Sequence, residues 1–212
     1  MLALTLSLGV WQVGRLHWKR DLLAEIDRGE TTAPVKLSER PAPFTRVIAE
    51  GEFVPGVARY GAEVRATSAG VSMGAHVLEL LRRTDDMPVV VDRGWAPIDW
   101  SAATPTGKVR IEGYVRPRET AAWSAASDDP VARRFFTLDP AAIAASLGVS
   151  EVAPFTLVAL GVAQGYPEPG TALPRPPNDH LSYAITWFSL SVVLVIVFAV
   201  FAGQTIRGGS KL

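Results

Sequence analysis

The apolar positions fall into three regimes along the chain. From Leu181 to Ala202 they run as LSYAITWFSLSVVLVIVFAVFA, without one charged residue. At about 1.5 Å per residue such a helix is roughly 33 Å long, enough to cross a hydrocarbon core of about 30 Å. Tyr183, Trp187 and Phe188 cluster toward its start, where amphipathic rings favour a membrane interface. Asn178 or Asp179, just after Pro176-Pro177, suits the cap position, and Arg207 and Lys211 follow the run. A second apolar run, Met1 to Leu16, is broken only by Thr5, Ser7, Gln12 and Arg15. No basic residue precedes it and no A-x-A-like site follows, which favours an uncleaved anchor over a signal peptide. Leu16, Leu22, Leu23 and Ile26 then keep near-helical spacing before Gly29, so this helix is expected to leave the membrane and continue to about Arg28.

Between these ends the pattern changes. After a proline-punctuated stretch, Thr31–Pro43, short runs rich in valine and aromatics alternate with turn residues. They predict strands over Thr45–Phe53, Arg59–Ala66, Ala75–Leu81, Val89–Trp95, Lys108–Val115, Arg134–Thr137 and Pro154–Val162. Asp139-Pro140 followed by AAIAASLG predicts a short helix, capped by Asp139, started by Pro140 and stopped by Gly148. The segments Val47–Pro55 and Val109–Pro117 share a Glu-Gly pair and a closing proline. They are either two equivalent strands, each with a glycine bulge, or a chance convergence of β-like segments. The pattern predicts a membrane α+β protein. Two terminal transmembrane helices flank a mainly antiparallel β domain, a sheet or partly open barrel with one short helix. The expected boundaries are 1–28 for the first helix and its extension, 29–177 for the β domain, 178–203 for the second helix and 204–212 for a tail.

Charge and composition narrow the chemistry. Lysine plus arginine equals aspartate plus glutamate, 21 each, so the excess of cations that a general nucleic-acid binder needs is missing. The absence of cysteine excludes disulfides, thiolate metal sites and a cysteine nucleophile. Topology by charge is ambiguous, because Arg15, Lys19 and Arg20 follow the first run while Arg207 and Lys211 follow the second. No nucleotide-binding glycine loop and no H-E-x-x-H occurs, and no nucleophile–base spacing supports a hydrolase. Asp85-Asp86 and Asp128-Asp129 read as solvated turn carboxylates. Asp92-Arg93-Gly94-Trp95 ends an apolar run, either as a strand terminus with an Arg–carboxylate pair or as a binding edge.

Three histidines remain. His17 reads as an interfacial polar residue and His76 as a structural strand residue. His180 stands at the start of the C-terminal helix, on one helical face with Ala184, Trp187 and Ser191, and with Tyr183 flanking Trp187. A neutral imidazole beside a small residue and a large aromatic suits axial ligation of haem iron; an interfacial residue capping the helix is the plainer alternative. Ser182, Thr186 and Ser189 form an adjoining face of small residues, expected to pack closely on the N-terminal helix or on another protein.

Read together, several segments resemble the Surfeit locus protein 1 family, assembly factors of cytochrome oxidase, over nearly the whole chain. They are GVWQVGRLHWK, MGAHVLELL, VVVDRGWAP, VRIEGYVRPRE, RRFFTLDPAAIAASLG and PPNDHLSYAITWF, in this order. The resemblance implies a non-enzymatic, two-pass protein of the bacterial inner membrane with a periplasmic central domain and cytoplasmic termini. It implies a part in maturing the haem-bearing largest subunit of a haem–copper oxidase, with haem a as cofactor. The partners expected are that subunit, haem a synthase and membrane lipid. The histidine of the family's N-N-H-L segment matches His180, and this chain departs from that segment with aspartate at position 179. A carboxylate there would either raise the basicity of the imidazole or cap the helix. On this reading His180 ligates haem iron, Tyr183 and Trp187 pack on the ring, and Arg93 meets a haem propionate or a partner carboxylate. The alternative is an accessory subunit that stays on the mature oxidase without binding haem.

Overall fold

The computed structural model describes residues 1–209 except 68–69, 85, 102–103 and 124. Asp85, Lys211 and the side chain of Arg207, singled out above, lie outside the described residues. The chain divides into two compact units, Ile26–Pro174 and a helical unit formed by Met1–Glu25 with Arg175–Leu212.

The middle unit is mainly sheet. Its elements are β1 (Val35–Lys36), β2 (Arg46–Thr67), β3 (Gly70–Arg82), β4 (Val89–Pro97), β5 (Lys108–Pro117), β6 (Arg134–Phe135), a short helix α2 (Pro140–Ser146) and β7 (Phe155–Ala159); the long helix α1 (Leu2–Thr31) precedes them and α3 (His180–Gly209) follows. Neighbouring strands run β1-β2-β3-β4-β7-β5, and β2 pairs β5 as well, which closes the sheet into a barrel. The pairings β2–β3, β3–β4, β2–β5 and β5–β7 are antiparallel, whereas β4–β7 is parallel. This is a Greek-key barrel of the general type found in OB-folds.

The expected strands lie where the alternation placed them, with one merger. Thr45–Phe53 and Arg59–Ala66 belong to the single strand β2, which pairs β5 through Arg46–Glu52 and β3 from Glu52 onward. Pro55 and Gly56 look like a turn in sequence. Here they mark a shift in register between Val54 and Ala58, with Gly56 at φ 129°. One strand thus bends to serve two barrel seams.

The valine run of β4 is explained by burial on both faces. Val89 and Val91 join a cluster with Val47, Leu81, Val115 and Leu157. Val90 joins another with Leu78, Leu80, Phe135 and Ile143, which seats α2. The cap of α2 is as expected: the Asp139 side chain accepts a hydrogen bond from Ala141 N, Pro140 opens the helix, and Gly148 follows at φ 80°.

The expected glycine bulges are absent. The two similar segments pair with each other in unbroken register, Val47 opposite Gly113 and Gly51 opposite Val109. Glycine is required for another reason: a Cβ at Gly51 would lie 2.3 Å from Arg82 O, and one at Gly113 would lie 2.3 Å from Val158 O. In each case a neighbouring backbone passes too close for a side chain.

In the helical unit, α3 carries the segment His180–Ile206, the one helix among the described residues that is long and apolar enough to cross a membrane. The second expected span is not matched in this respect. α1 contains Gln12, Arg15, Lys19 and Arg20 within its length, and it runs to Thr31, past the expected end near Arg28.

Candidate functional site

Thr5, Gly9, Gln12 and Leu16 recur at the spacing of one helical face and are all buried. Three contacts describe how that face meets α3. Ser191 Oγ donates to Thr5 Oγ1 at 2.7 Å, and Thr5 in turn donates to Leu2 O at 3.0 Å. A Cβ at Gly9 would lie 2.7 Å from the Phe188 ring. Finally, Gln12 Oε1 lies 2.7 Å from His180 Nδ1. As positions rise along α1 the partners fall along α3, so the two helices are antiparallel.

The small-residue face, expected to pack on the N-terminal helix or on another protein, does not pack on α1. Ser182, Thr186 and Ser189 are exposed, and Thr186 spends its hydroxyl on the Ser182 carbonyl. The packed face is instead that of His180, Ala184 and Ser191, with Ala184 2% and Ser191 3% exposed. The residue that permits close approach is on the opposing helix, Gly9 against the Phe188 ring.

The four residues expected at the site fall in both units. His180 is the first residue of α3 and is half-buried; Trp187 is half-buried and Tyr183 exposed. With Gln12 Oε1 as acceptor, Nδ1 of His180 carries the hydrogen, and in the neutral ring Nε2 then keeps its lone pair. That is the state in which an imidazole ligates a metal, and the residues present fit an axial ligand to haem iron. Asp179, the residue expected to orient the imidazole or cap the helix, is exposed; its carbonyl accepts from Tyr183 N at 3.3 Å. The hydrogen bond to the imidazole comes from Gln12 instead. Gln12 was visible in the sequence only as an interruption of an apolar run, and nothing local ties it to a residue 168 positions away.

Arg93 lies in β4, in the barrel unit. Its Nη1 donates to Glu79 Oε2 at 2.5 Å, Thr104 Oγ1 donates to the other oxygen at 2.8 Å, and Glu79 is 1% exposed. The guanidinium also stacks over Phe53, 5.3 Å from the ring centre. Arg93 thus forms the expected Arg–carboxylate pair, but in the middle of β4 and not at a strand terminus, and it borders a cleft of about 390 Å³ lined by Phe53, Val91, Ile111 and Tyr166.

His76 Nδ1 faces the buried Asp92 carboxylate at 2.9 and 3.0 Å, and Gly94 N donates to the same carboxylate at 2.9 Å. His17 is exposed on α1. Asp128 is more than a solvated turn residue: its Oδ1 accepts from Phe136 N and Thr137 N at 2.6 and 3.0 Å, holding the chain just after β6. Among the described residues no cluster of three or more histidine or carboxylate side chains is placed to hold a metal ion, whereas axial ligation needs a single imidazole.

Comparison with known proteins agrees with the resemblance read from the segments. A SURF1-like protein of Rickettsia felis is 27% identical over 95% of this chain and 93% of its own length. One of Monosiga brevicollis is 26% identical over 98% and 85%, and the Surfeit locus protein 1 of Arabidopsis thaliana is 26% identical over 92% and 73%. The profile of the SURF1 family matches residues 1–192, both partners of the His180–Gln12 pair included, and the chain belongs to that family.

Proposed function

We propose that this protein is a non-enzymatic assembly factor for a haem–copper terminal oxidase, and that it holds haem a on His180 Nε2 for delivery to the largest oxidase subunit. The observation that carries the reading is the half-buried His180 imidazole at the head of an apolar helix, hydrogen-bonded through Nδ1 to Gln12. Haem a, when bound, would supply an iron centre with one protein ligand. Tyr183 and Trp187, one and two turns along, would offer aromatic surface to the ring. Arg93 is paired with Glu79 in the barrel unit and is left out of the proposed haem site.

The protein is proposed to span the bacterial inner membrane twice, with Thr31–Pro177 in the periplasm and both termini in the cytoplasm. Two features support the N-terminal span. α1 packs antiparallel on α3, and it leaves Leu2, Leu4, Leu6, Val10 and Trp11 exposed, as a helix facing lipid would. Haem a synthase is the proposed donor of the cofactor.

The test is a visible spectrum of the detergent-purified chain produced together with haem a synthesis. Wild type should carry haem a, His180→Ala should carry none while remaining inserted and folded, and His17→Ala should match wild type. Full haem in His180→Ala, or none in wild type, refutes the assignment.

One observation favours a second reading, an accessory subunit that stays on the mature oxidase without haem. The Ser182–Thr186–Ser189 face has the small residues of a packing surface yet is exposed. Co-purification with active oxidase and no haem of its own would support it.

A further inference from the structure

We propose that Gln12 is a positioning residue for His180: its amide oxygen holds the imidazole in the tautomer protonated at Nδ1, so that Nε2 presents a lone pair to an iron porphyrin. The inference rests on the haem-holding reading above and adds to it a requirement for the N-terminal helix. Gln12 is 8% exposed and its Oε1 lies 2.7 Å from Nδ1. A carbonyl oxygen can only accept, so the ring nitrogen it faces must donate. In water a neutral histidine side chain favours hydrogen on Nε2, the form whose Nε2 cannot ligate. Gln12 reverses that preference. The residues that bind metals through histidine commonly hold the second ring nitrogen in this way, and loss of the holding group typically weakens metal binding by about 10- to 100-fold.

The competing account is that the bond merely ties two helices, as Thr5–Ser191 does. The two accounts differ in what they expect of the ring. The experiment uses the full chain in detergent micelles with ring-¹⁵N histidine, at a pH where the ring is neutral; the His180 signals are those missing from His180→Ala. Wild type should show the Nδ1–H tautomer. Gln12→Met, which keeps length and removes the acceptor, should move His180 to the Nε2–H form, and Gln12→Glu should restore Nδ1–H. Thr5→Val, which removes the other tie, should leave the tautomer unchanged.

In parallel, ferric haem a is titrated and followed by absorbance. Gln12→Met should bind about 10- to 100-fold more weakly than wild type, with Gln12→Glu and Thr5→Val close to wild type. An unchanged tautomer in Gln12→Met overturns the proposal. So does an unchanged haem affinity in the face of a changed tautomer, or an equal effect from Thr5→Val. If wild type binds no haem a, the haem-holding reading falls, and the tautomer series alone still upholds or overturns the control of His180 by Gln12.

Discussion

Arg93 and Glu79 meet from adjacent strands, and the carboxylate is almost wholly buried. Removing one partner of such a pair strands the other charge in the barrel wall, which typically costs about 3–5 kcal/mol, whereas replacing both by apolar residues is often nearly neutral. Arg93→Met should therefore lower the unfolding free energy of the full chain in detergent by about 3 kcal/mol, and Arg93→Met with Glu79→Leu should recover most of it. A loss under about 1 kcal/mol would mean that the guanidinium is free for another partner. Tyr114 gives a pH signature. Burial pushes its phenol up to about 12, against the opposing pull of Arg116. The folded state then holds the proton longer than the unfolded state, so its contribution is whole below about pH 10 and is lost as pH rises toward 12. Tyr114→Phe should flatten the alkaline fall in stability by roughly 2–3 kcal/mol across that window; parallel wild-type and variant curves would contradict the assignment. At this scale the sequence showed which residues had chemistry to offer. His180 stood out by its place before an apolar run, but Gln12 and Glu79 did not, because each acquires its role from a residue distant in sequence.

Among the elements, period-two alternation was enough to place every strand but the two-residue β1, and a capping residue with proline and glycine was enough to place α2. What local pattern could not tell was whether Pro55-Gly56 ends a strand or bends it, since both uses need a residue without a donor beside one at positive φ. Nor could it tell which face of α3 would pack, because the decisive small residue, Gly9, lies on the other helix. The paired segments around Gly51 and Gly113 were legible as a repeat, but the reason for their glycines was not. Gly113→Ala would place a methyl 2.3 Å from Val158 O and 2.9 Å from Leu157 Cδ1. Backbone would have to move, so the barrel should lose about 1–3 kcal/mol, read as a lower denaturation midpoint. An unchanged midpoint would show slack at the β5–β7 seam.

For the molecule as a whole, the β character of the middle and the apolar α3 were legible because both rest on long stretches of pattern. Barrel closure was not, since it depends on β2 pairing β5 as well as β3. The proposed two-pass topology has a direct test. Alkaline phosphatase joined after Ser127 should be active, and joined after Lys211 inactive. The reverse pattern would place the barrel in the cytoplasm and remove it from the periplasmic face of an oxidase.

The hydrogen bond between Gln12 and His180 joins positions 168 residues apart. A ribosome making this chain produces the acceptor early and the imidazole only after the whole barrel sequence. A message interrupted anywhere between would yield a chain without His180, with Gln12 unanswered. On the proposed assignment, a molecule able to take the cofactor is one whose translation has run at least to His180.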